Sequence, residues 1–274
     1  MLSGNLKKMS TSVEGLNVQY VLTLGNDSVS VNDLIGKKVA LHFKGSINCV
    51  NCGRVTKKSF SQGFCFPCFK KLAACDSCMM SPEKCHFHLG TCREPEWAEK
   101  YCMRDHYVYL ANSSGLKVGI TRGDQLPTRW IDQGAIQARA LFRVSTRRMS
   151  GLVETLFKDQ VADKTNWRTM LKGTADTMDL EYEQERLIGL LYDGLDSLQN
   201  EFGLQSIIDL SDENETHEFI YPVLEYPTKV TSLNAEKNPE IEGVLLGVKG
   251  QYWILDTGVI NIRKYTGYQA TLTF

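Results

Sequence analysis

Two pairs of cysteines near the start of the chain have the spacing of a metal site. Cys49 and Cys52 form one CxxC pair, and Cys65 and Cys68 form a second. A CxxC turn lets two thiolates contact one ion, and two such turns complete the tetrahedron that zinc prefers. The paired spacing favours this interpretation over a redox pair or isolated buried thiols. We therefore expect a structural zinc ion bound by the four thiolates.

A second group of metal-binding residue types follows directly. The chain has nine cysteines and no sequence feature of a secreted protein, which favours metal sites over disulfides. We expect four of the remaining thiolates to bind a second zinc ion, with His88 as the first substitute ligand. These four thiolates belong to Cys75, Cys78, Cys85 and Cys92. The exact ligand set stays open, and Cys102 is expected to be a small buried residue.

The elements around these cysteines follow from residue alternation. The two metal sites imply that residues 46–103 have little core of their own and fold around zinc. Residues 106–121 alternate apolar and polar side chains on both sides of Asn112-Ser113-Ser114-Gly115, which predicts a β-hairpin. A short helix over 126–133, a third strand over 137–145 and a helix capped by Ser150 are predicted next.

The two ends of the chain are predicted to be rich in strands. Residues 16–24 and 38–44 alternate like strands, and three more strands are predicted after residue 243. Neither set makes a stable sheet of comfortable size alone, so we expect the two ends to pair in one β domain. Between them, residues 181–202 have the apolar periodicity of a long helix with an acidic outer face.

These elements predict an α+β fold. A zinc-ribbon-like segment is joined to a small mixed sheet with helices, and the terminal strands form a separate β domain. The predicted segments are 1–45 (strands pairing with 219–274), 46–103 (zinc-binding), 104–172 (central module), 173–218 (acidic helix) and 219–274 (strands).

Charge is distributed unevenly along a chain whose formal net charge is −1. Residues 1–74 carry ten Lys or Arg against three acidic residues, and residues 104–150 carry eight against three. Residues 176–218 carry thirteen acidic residues against one arginine. A polyanion would be attracted to the two basic regions, although solvated faces that balance within one fold would have the same composition.

The central module resembles a known nuclease family. The residues that carry the resemblance are Tyr107-Val108-Tyr109, Lys117-Val118-Gly119-Ile120-Thr121, Arg129 and Glu154. Over roughly 106–172 they are similar to the GIY-YIG endonuclease module, which runs strand, strand, helix, strand, helix. The wider run, including Cys85-His86-Phe87-His88 and residues 90–95, also resembles an uncharacterised bacterial family of zinc-containing proteins with such a module.

This resemblance implies a catalytic site with one divalent metal. Tyr109 takes the position of a tyrosine that helps to activate water, Arg129 steadies the phosphate, and Glu154 binds Mg²⁺ or Mn²⁺. Asn166 takes the position of an asparagine that lies further along the family's module. Lys117 departs from the family, because it replaces the second tyrosine. A lysine there could bind phosphate as a point charge, or act as a base if its pKa were lowered.

Each residue also has a structural interpretation. Tyr109 could simply pack in the hairpin, Glu154 could favour the helix dipole, and Arg129 could pair with Asp132. Four further arginines could follow a phosphate backbone, with the first two on one face of the third strand. These arginines are Arg139, Arg143, Arg147 and Arg148.

Three functions are therefore compared. The first is a cytoplasmic zinc protein that binds DNA or RNA and cleaves phosphodiesters. The second is a nucleic-acid-binding module without catalysis. The third is a protein-interaction scaffold whose acidic helix, 181–202, binds a basic partner. No apolar run approaches the roughly 18 residues that span a bilayer, so no membrane association is expected.

Overall fold

The computed structural model describes all 274 residues, Met1–Phe274, as a mixed α/β structure with three antiparallel sheets. The strands up to the middle of the chain are β1 (Leu2–Asn5), β2 (Ser10–Glu14), β3 (Asn17–Leu24), β4 (Asp27–Ser30), β5 (Lys38–Asn48), β6 (Val55–Thr56), β7 (His106–Asn112), β8 (Leu116–Arg122) and β9 (Gln137–Val144). The later strands are β10 (Ile207–Asp209), β11 (His217–Glu218), β12 (Glu240–Lys249), β13 (Tyr252–Leu255), β14 (Gly258–Asn261) and β15 (Tyr268–Thr273). The α-helices are α1 (Phe66–Lys71), α2 (Pro95–Tyr101), α3 (Thr128–Asp132), α4 (Arg147–Phe157), α5 (Trp167–Met170) and α6 (Leu180–Phe202).

The first sheet joins the two ends of the chain. Its strand order is β1-β15-β5-β12-β13-β14, with β6 beside β5. Leu272 of β15 pairs with Leu2 of β1 on one side and with Leu41 of β5 on the other. Of the two predicted N-terminal strands, β5 pairs with the C-terminal strands β12 and β15 as expected, whereas β3 does not join this sheet. The proposed segment boundaries stay predictions. Strands β2, β3 and β4 form a separate three-stranded sheet whose buried Tyr20 and Leu22 join the same core.

The second sheet contains the predicted hairpin. Its order is β10-β9-β7-β8, with β11 beside β9, so that β7 lies in the centre. The predicted hairpin is confirmed, because β7 and β8 pair from His106↔Arg122 to Asn112↔Leu116. One face packs Val108 and Val118 against Val153 and Phe157 of α4. Tyr109, on the other face, belongs to the larger core that includes the first sheet.

Helix termini differ slightly from the sequence predictions. Helix α4 begins one turn before the expected cap, because the Thr146 hydroxyl accepts a hydrogen bond from the Met149 N–H. Ser150 is inside that helix, so its assignment as the N-cap was wrong. Helix α6 begins at Leu180, where the carboxylate of Asp179 accepts from two backbone N–H groups. The buried Leu187 and Leu195 face the second sheet, as the apolar periodicity predicts.

Polar contacts fix α3 against the first sheet. The carboxylate of Asp132, at the end of α3, forms an ion pair with Lys8 and accepts a hydrogen bond from Gln251 at 2.8 Å. The Tyr221 hydroxyl donates to the carbonyl of Ala135 just beyond the helix, at 2.7 Å. The helix that carries Arg129 is thus held by buried contacts to both ends of the chain. None of the helices combines the length and apolar character needed to cross a membrane.

Candidate functional site

The first four cysteines lie together in a tetrad. The sulfur atoms of Cys49, Cys52, Cys65 and Cys68 all lie within 4.8 Å of one another, and those of Cys52 and Cys65 are 3.7 Å apart. Four thiolates around zinc at about 2.3 Å would have neighbouring sulfurs roughly 3.8 Å apart. The donor set and its spacing therefore fit a structural zinc ion, which would join the end of β5 to the start of α1.

Backbone geometry prepares these thiolates for metal. The Cys65 N–H donates to the Cys49 sulfur at 3.2 Å, and Gly53 turns the chain back with φ +70°. Burial raises the pKa of Cys49, but N–H donors from residues 51, 52 and 65 outweigh it and lower that pKa to about 6. A sulfur that already accepts backbone hydrogen bonds is stabilised as the thiolate that zinc requires.

The second cysteine group is arranged differently from the expected ligand set. The ligand atoms that lie within 4.8 Å of one another belong to Asp76, Cys78 and His86. Cys75 is buried and does not line the cavity around which Cys78, Cys85 and Cys92 lie. The expected set of Cys75, Cys78, Cys85 and Cys92 is not among the groups whose ligand atoms lie this close together. Cys102 is buried, as expected.

The cysteine-rich segment is docked directly on α4. Gly151 of α4 lies so close to Pro82 and Glu83 that a Cβ atom at this position would clash with their backbone. Arg147 strengthens the contact twice, because its backbone N–H donates to the Cys102 carbonyl at 2.8 Å and its guanidinium donates to the Met79 carbonyl at 2.8 Å. The helix that carries Glu154 is thus positioned by the cysteine-rich segment.

Tyr109 is fully buried between the second sheet and α3. Its ring lies over Gly119 of the paired strand and packs edge-on against Trp130, with ring centroids 6.0 Å apart. Its hydroxyl oxygen accepts a hydrogen bond from the Gln133 amide at 2.8 Å. Burial raises the pKa of Tyr109, so the phenol keeps its proton and can donate it to another group.

Lys117 is buried in the neighbouring strand with no ion pair. Only 5% of the residue is exposed, and its backbone forms a β-bridge with Ala162 in the segment that follows α4. Burial lowers the pKa of Lys117 to about 8, and the charge of Arg129 lowers it further, against the opposing charges of Glu154 and Asp163. A lysine with this pKa is partly neutral near physiological pH and can accept a proton.

Glu154 is mostly buried on α4 and faces a second carboxylate. Burial raises the pKa of Glu154, and the charge of Asp163 raises it further, while Lys158 and Lys117 lower it. The ammonium group of Lys158 lies 3.6 Å from Glu154 Oε2 and 3.8 Å from Asp163 Oδ2. Two carboxylates that share one cation form an arrangement that a divalent metal could also use.

The four predicted catalytic residues influence one another. The charges of Arg129 and Glu154 both act on Tyr109, and the same two charges act on Lys117. These side chains come from β7, β8, α3 and α4, so only the tertiary fold brings them together. A buried lysine and a buried glutamate with opposite pKa shifts are typical of functional sites, because pure packing does not require either charge.

Asp163 is the site residue that the sequence interpretation missed. Its position is set by β8, because the Val118 N–H donates to the Ala162 carbonyl at 2.9 Å. Two residues later, Thr165 and Ser113 share a hydrogen bond of 3.0 Å between their hydroxyls. Asn166 then caps α5 by accepting from two backbone N–H groups at 3.2 Å. No pattern in the sequence predicts that residues 162–166 lie beside the hairpin.

The expected row of arginines is not present. A β-bulge at residue 141 shifts the pairing of β9 with β7, so that Arg139 lies opposite Leu110 while Arg143 lies opposite Tyr107. Leu110 and Tyr107 face opposite sides of the sheet, and the two arginines therefore do as well. Arg139 is buried and donates to Gln184 at 2.6 Å and to the Ser211 carbonyl at 3.0 Å, so it has a structural role.

The other arginines are closer to solvent. Arg143 is partly exposed and pairs with Asp105 at 3.1 Å. Arg148 lies over the ring of Phe202, with its guanidinium carbon 5.4 Å from the ring centroid. The guanidinium of Arg147 faces the cysteine-rich segment, and burial lowers its pKa. Of the four, Arg143 and Arg148 are therefore the better placed to meet an external phosphate.

Comparison with protein families adds one result to this geometry. Residues 36–270 match the family described as "Protein of unknown function (DUF2797)". The chain belongs to the DUF2797 family. The matched region contains both cysteine groups, the hairpin, Glu154 and most of the C-terminal strands, so the family covers the candidate site as a whole. Neither the curated proteins nor the solved structures contain a match to the chain.

Proposed function

We propose that this DUF2797 protein binds nucleic acid and hydrolyses phosphodiester bonds with one divalent metal ion, Mg²⁺ or Mn²⁺. The observation that carries this function is that the charges of Arg129 and Glu154 both act on the buried Tyr109 and on the buried Lys117. A phosphodiester needs a metal ligand, a cation for its developing charge and an acceptor for the proton of water. Glu154, Arg129 and Lys117 supply one group for each requirement.

Glu154 and Asp163 would hold the metal. Both carboxylates already contact one cation, the ammonium group of Lys158, at 3.6 and 3.8 Å. When bound, the ion supplies Lewis-acid polarisation of the phosphoryl oxygen. Arg129 is half-buried on α3 and provides the fixed positive charge that offsets the charge developing on the phosphate.

Lys117 is the group best suited to accept a proton. In its neutral form, Nζ takes a proton from water as the water oxygen bonds to phosphorus and the bond to the leaving oxygen breaks. The leaving oxygen is protonated from solvent. Tyr109 has a raised pKa and keeps its own proton, so it acts as a positioning residue that orients its neighbours through its hydroxyl.

Binding would use the basic surface around the second sheet. Arg143 and Arg148 remain outside the core, and residues 104–150 have the excess of positive charge noted above. Contacts between arginine side chains and phosphate groups fix the position of a nucleic-acid strand without recognising its base sequence. We leave Arg139 out of this surface, because its guanidinium is occupied by Gln184 and Ser211.

A second candidate function is nucleic-acid binding without cleavage. The position of Lys158 favours it, because an internal cation already neutralises the two carboxylates that would bind a metal. In that case the zinc-held segment and the arginines would bind the backbone, and Lys117 would act only as a cation. Added Mg²⁺ or Mn²⁺ would then change nothing.

Incubation of the purified full chain with single- and double-stranded DNA and RNA tests both functions. Each substrate is offered with Mg²⁺, with Mn²⁺ and with a chelator, and binding is measured at several salt concentrations. Cleavage only with metal supports the nuclease, whereas salt-sensitive binding with no product supports the second function. If no substrate is cleaved and none is bound in a salt-sensitive way, both functions are refuted.

A further inference from the structure

A small enclosed cavity lies within the second cysteine group. Its volume is about 10 Å³, close to the space of a single water-sized atom. Six side chains with ligand atoms line it, and apolar groups that include Phe87 and Trp97 surround them. These six are Asp76, Cys78, Cys85, His86, Cys92 and Cys102. A space of this size can hold one ion and excludes a larger ligand.

The hydrogen bonds of His86 direct a lone pair into this cluster. The Thr91 hydroxyl donates to the His86 carbonyl at 3.3 Å, so its oxygen can accept from His86 Nδ1–H at 2.8 Å. With the proton on Nδ1, the Nε2 atom has a free lone pair. That atom lies 3.6 Å from a carboxylate oxygen of Asp76, and a ring nitrogen of His86 lies within 4.8 Å of the Cys78 sulfur.

Asp76 is already satisfied by other groups. Its carboxylate accepts from the guanidinium of Arg93 at 2.7 Å and from the Ser77 hydroxyl at 3.1 Å. Three electron-rich atoms, one each from Asp76, Cys78 and His86, therefore lie within 4.8 Å of one another. A cation is the species that such a cluster would stabilise.

The neighbouring thiols complete a ligand set. The thiols of Cys78, Cys85 and Cys92 all line the cavity together with His86. Cys75 does not line the cavity. We propose that the cavity binds a second zinc ion through Cys78, Cys85, His86 and Cys92. Three thiolates and one imidazole are a common closed set for structural zinc.

This site would have a role beyond its own segment. Pro82 and Glu83, between two of the ligands, contact Gly151 of α4 with no room for a side chain. An ion in the cavity would therefore hold the surface on which the helix of Glu154 rests. Its structural effect is independent of whether the chain cleaves nucleic acid.

Metal analysis of the full-length protein tests the ligand set. The wild type should contain two zinc ions per chain, and Cys78→Ser and His86→Ala should each contain one. Cys75→Ser is the matched control and should keep two, as should Cys102→Ala. One zinc ion in the wild type, or loss of one zinc from Cys75→Ser with none lost from His86→Ala, would overturn the assignment.

A measurement on the unaltered chain guards against variants that do not fold. Cadmium-113 NMR of the cadmium-substituted wild type should show two resonances, because four thiolates shift cadmium further downfield than three thiolates and an imidazole. The lower-field signal belongs to the first site and the other to the cavity. A single resonance, or two with the shift of four thiolates, would contradict the proposed ligands.

Discussion

Tyr109 lies directly over Gly119, its partner across the β7–β8 pair. A Cβ atom at Gly119 would lie 2.6 Å from the phenol oxygen and ring carbon of Tyr109, closer than any side chain tolerates. Residue 119 must therefore be glycine for the Tyr109 ring to occupy this place. The close contact sets where the phenol lies relative to Lys117 and Arg129.

Replacement of Gly119 by alanine should displace the Tyr109 ring. We expect a loss of about 1–3 kcal/mol in the free energy of unfolding, because the buried ring has no free space to enter. Cleavage should fall roughly 10- to 100-fold, since small misplacements at a reacting centre are costly. Chemical denaturation and initial rates measure the two effects.

Gly189→Ala is the matched control for this change. Gly189 lies in α6 with open space around its Cα, so alanine there should be neutral or slightly stabilising and leave cleavage unchanged. Equal rates for Gly119→Ala and the wild type would show that the position of Tyr109 does not matter for the reaction.

Replacement of Lys117 by methionine should remove activity and raise stability. Burial depresses the pKa of Lys117 from 10.5 to about 8. Below pH 8 the folded protein therefore keeps a charged ammonium group in the interior, although water would solvate that charge better in the unfolded chain. At about 1.4 kcal/mol per pKa unit, the variant should gain up to about 3 kcal/mol in the free energy of unfolding at pH 7. The rate should fall roughly 100-fold or more if Lys117 is the base.

Lys249→Met separates the two effects. Lys249 is also buried, and burial lowers its pKa to about 8 as well, but it lies over Tyr221 and Tyr226, outside the candidate site. Its replacement should therefore stabilise the protein and leave cleavage unaltered. If Lys117→Met keeps full activity, Lys117 is not the proton acceptor.

Cleavage should increase with pH until the titration of Lys117 is complete. Because the neutral amine is the active form and its pKa is about 8, the rate should rise about tenfold per pH unit below 8 and level off above it. Glu154, whose pKa is raised by burial, adds to the loss at low pH, since protonation removes the metal ligand. A pH–rate profile under single-turnover conditions checks this, and a rate that falls from pH 7 to pH 9 would contradict it.

Asp163→Asn should move that profile toward lower pH. The negative charge of Asp163 raises the pKa of Lys117, so its removal lets the amine lose its proton more easily. The same change lowers the pKa of Glu154 and removes one proposed metal ligand. The midpoint of the profile should therefore decrease while the metal concentration for half-maximal rate increases. An unchanged midpoint and metal dependence would remove Asp163 from the site.

Local patterns were sufficient to predict the hairpin and the clustering of the first four cysteines. Alternation and the turn residues at 112–115 identified β7 and β8, and the paired CxxC spacing identified a tetrad whose four sulfurs do lie together. Both features depend on residues that are close in sequence. The pairing of β5 with the C-terminal strands β12 and β15 was also predictable, because neither terminal set of strands could form a stable sheet alone.

Features that depend on strand register, or on contacts between segments far apart in the sequence, were not predictable. One extra residue at the bulge in β9 turns Arg139 into the core, and nothing in the alternation marks that residue. Asp163 joins the site through a backbone contact to β8, and the ligand atoms nearest Cys78 come from Asp76 and His86 rather than from Cys75. In each case the tertiary fold decides which side chains meet.

The cleavage rate of Glu154→Gln tests the central claim most directly. Glutamine keeps the size and shape of the side chain but removes the charge that binds the metal, so the fold should be preserved. Glu185→Gln, on the exposed face of α6, is the matched control. With Mn²⁺ and a substrate that the wild type cleaves, we expect a loss of at least about 100-fold for Glu154→Gln and none for Glu185→Gln. Equal rates for Glu154→Gln and the wild type would contradict a metal-dependent nuclease centred on Glu154.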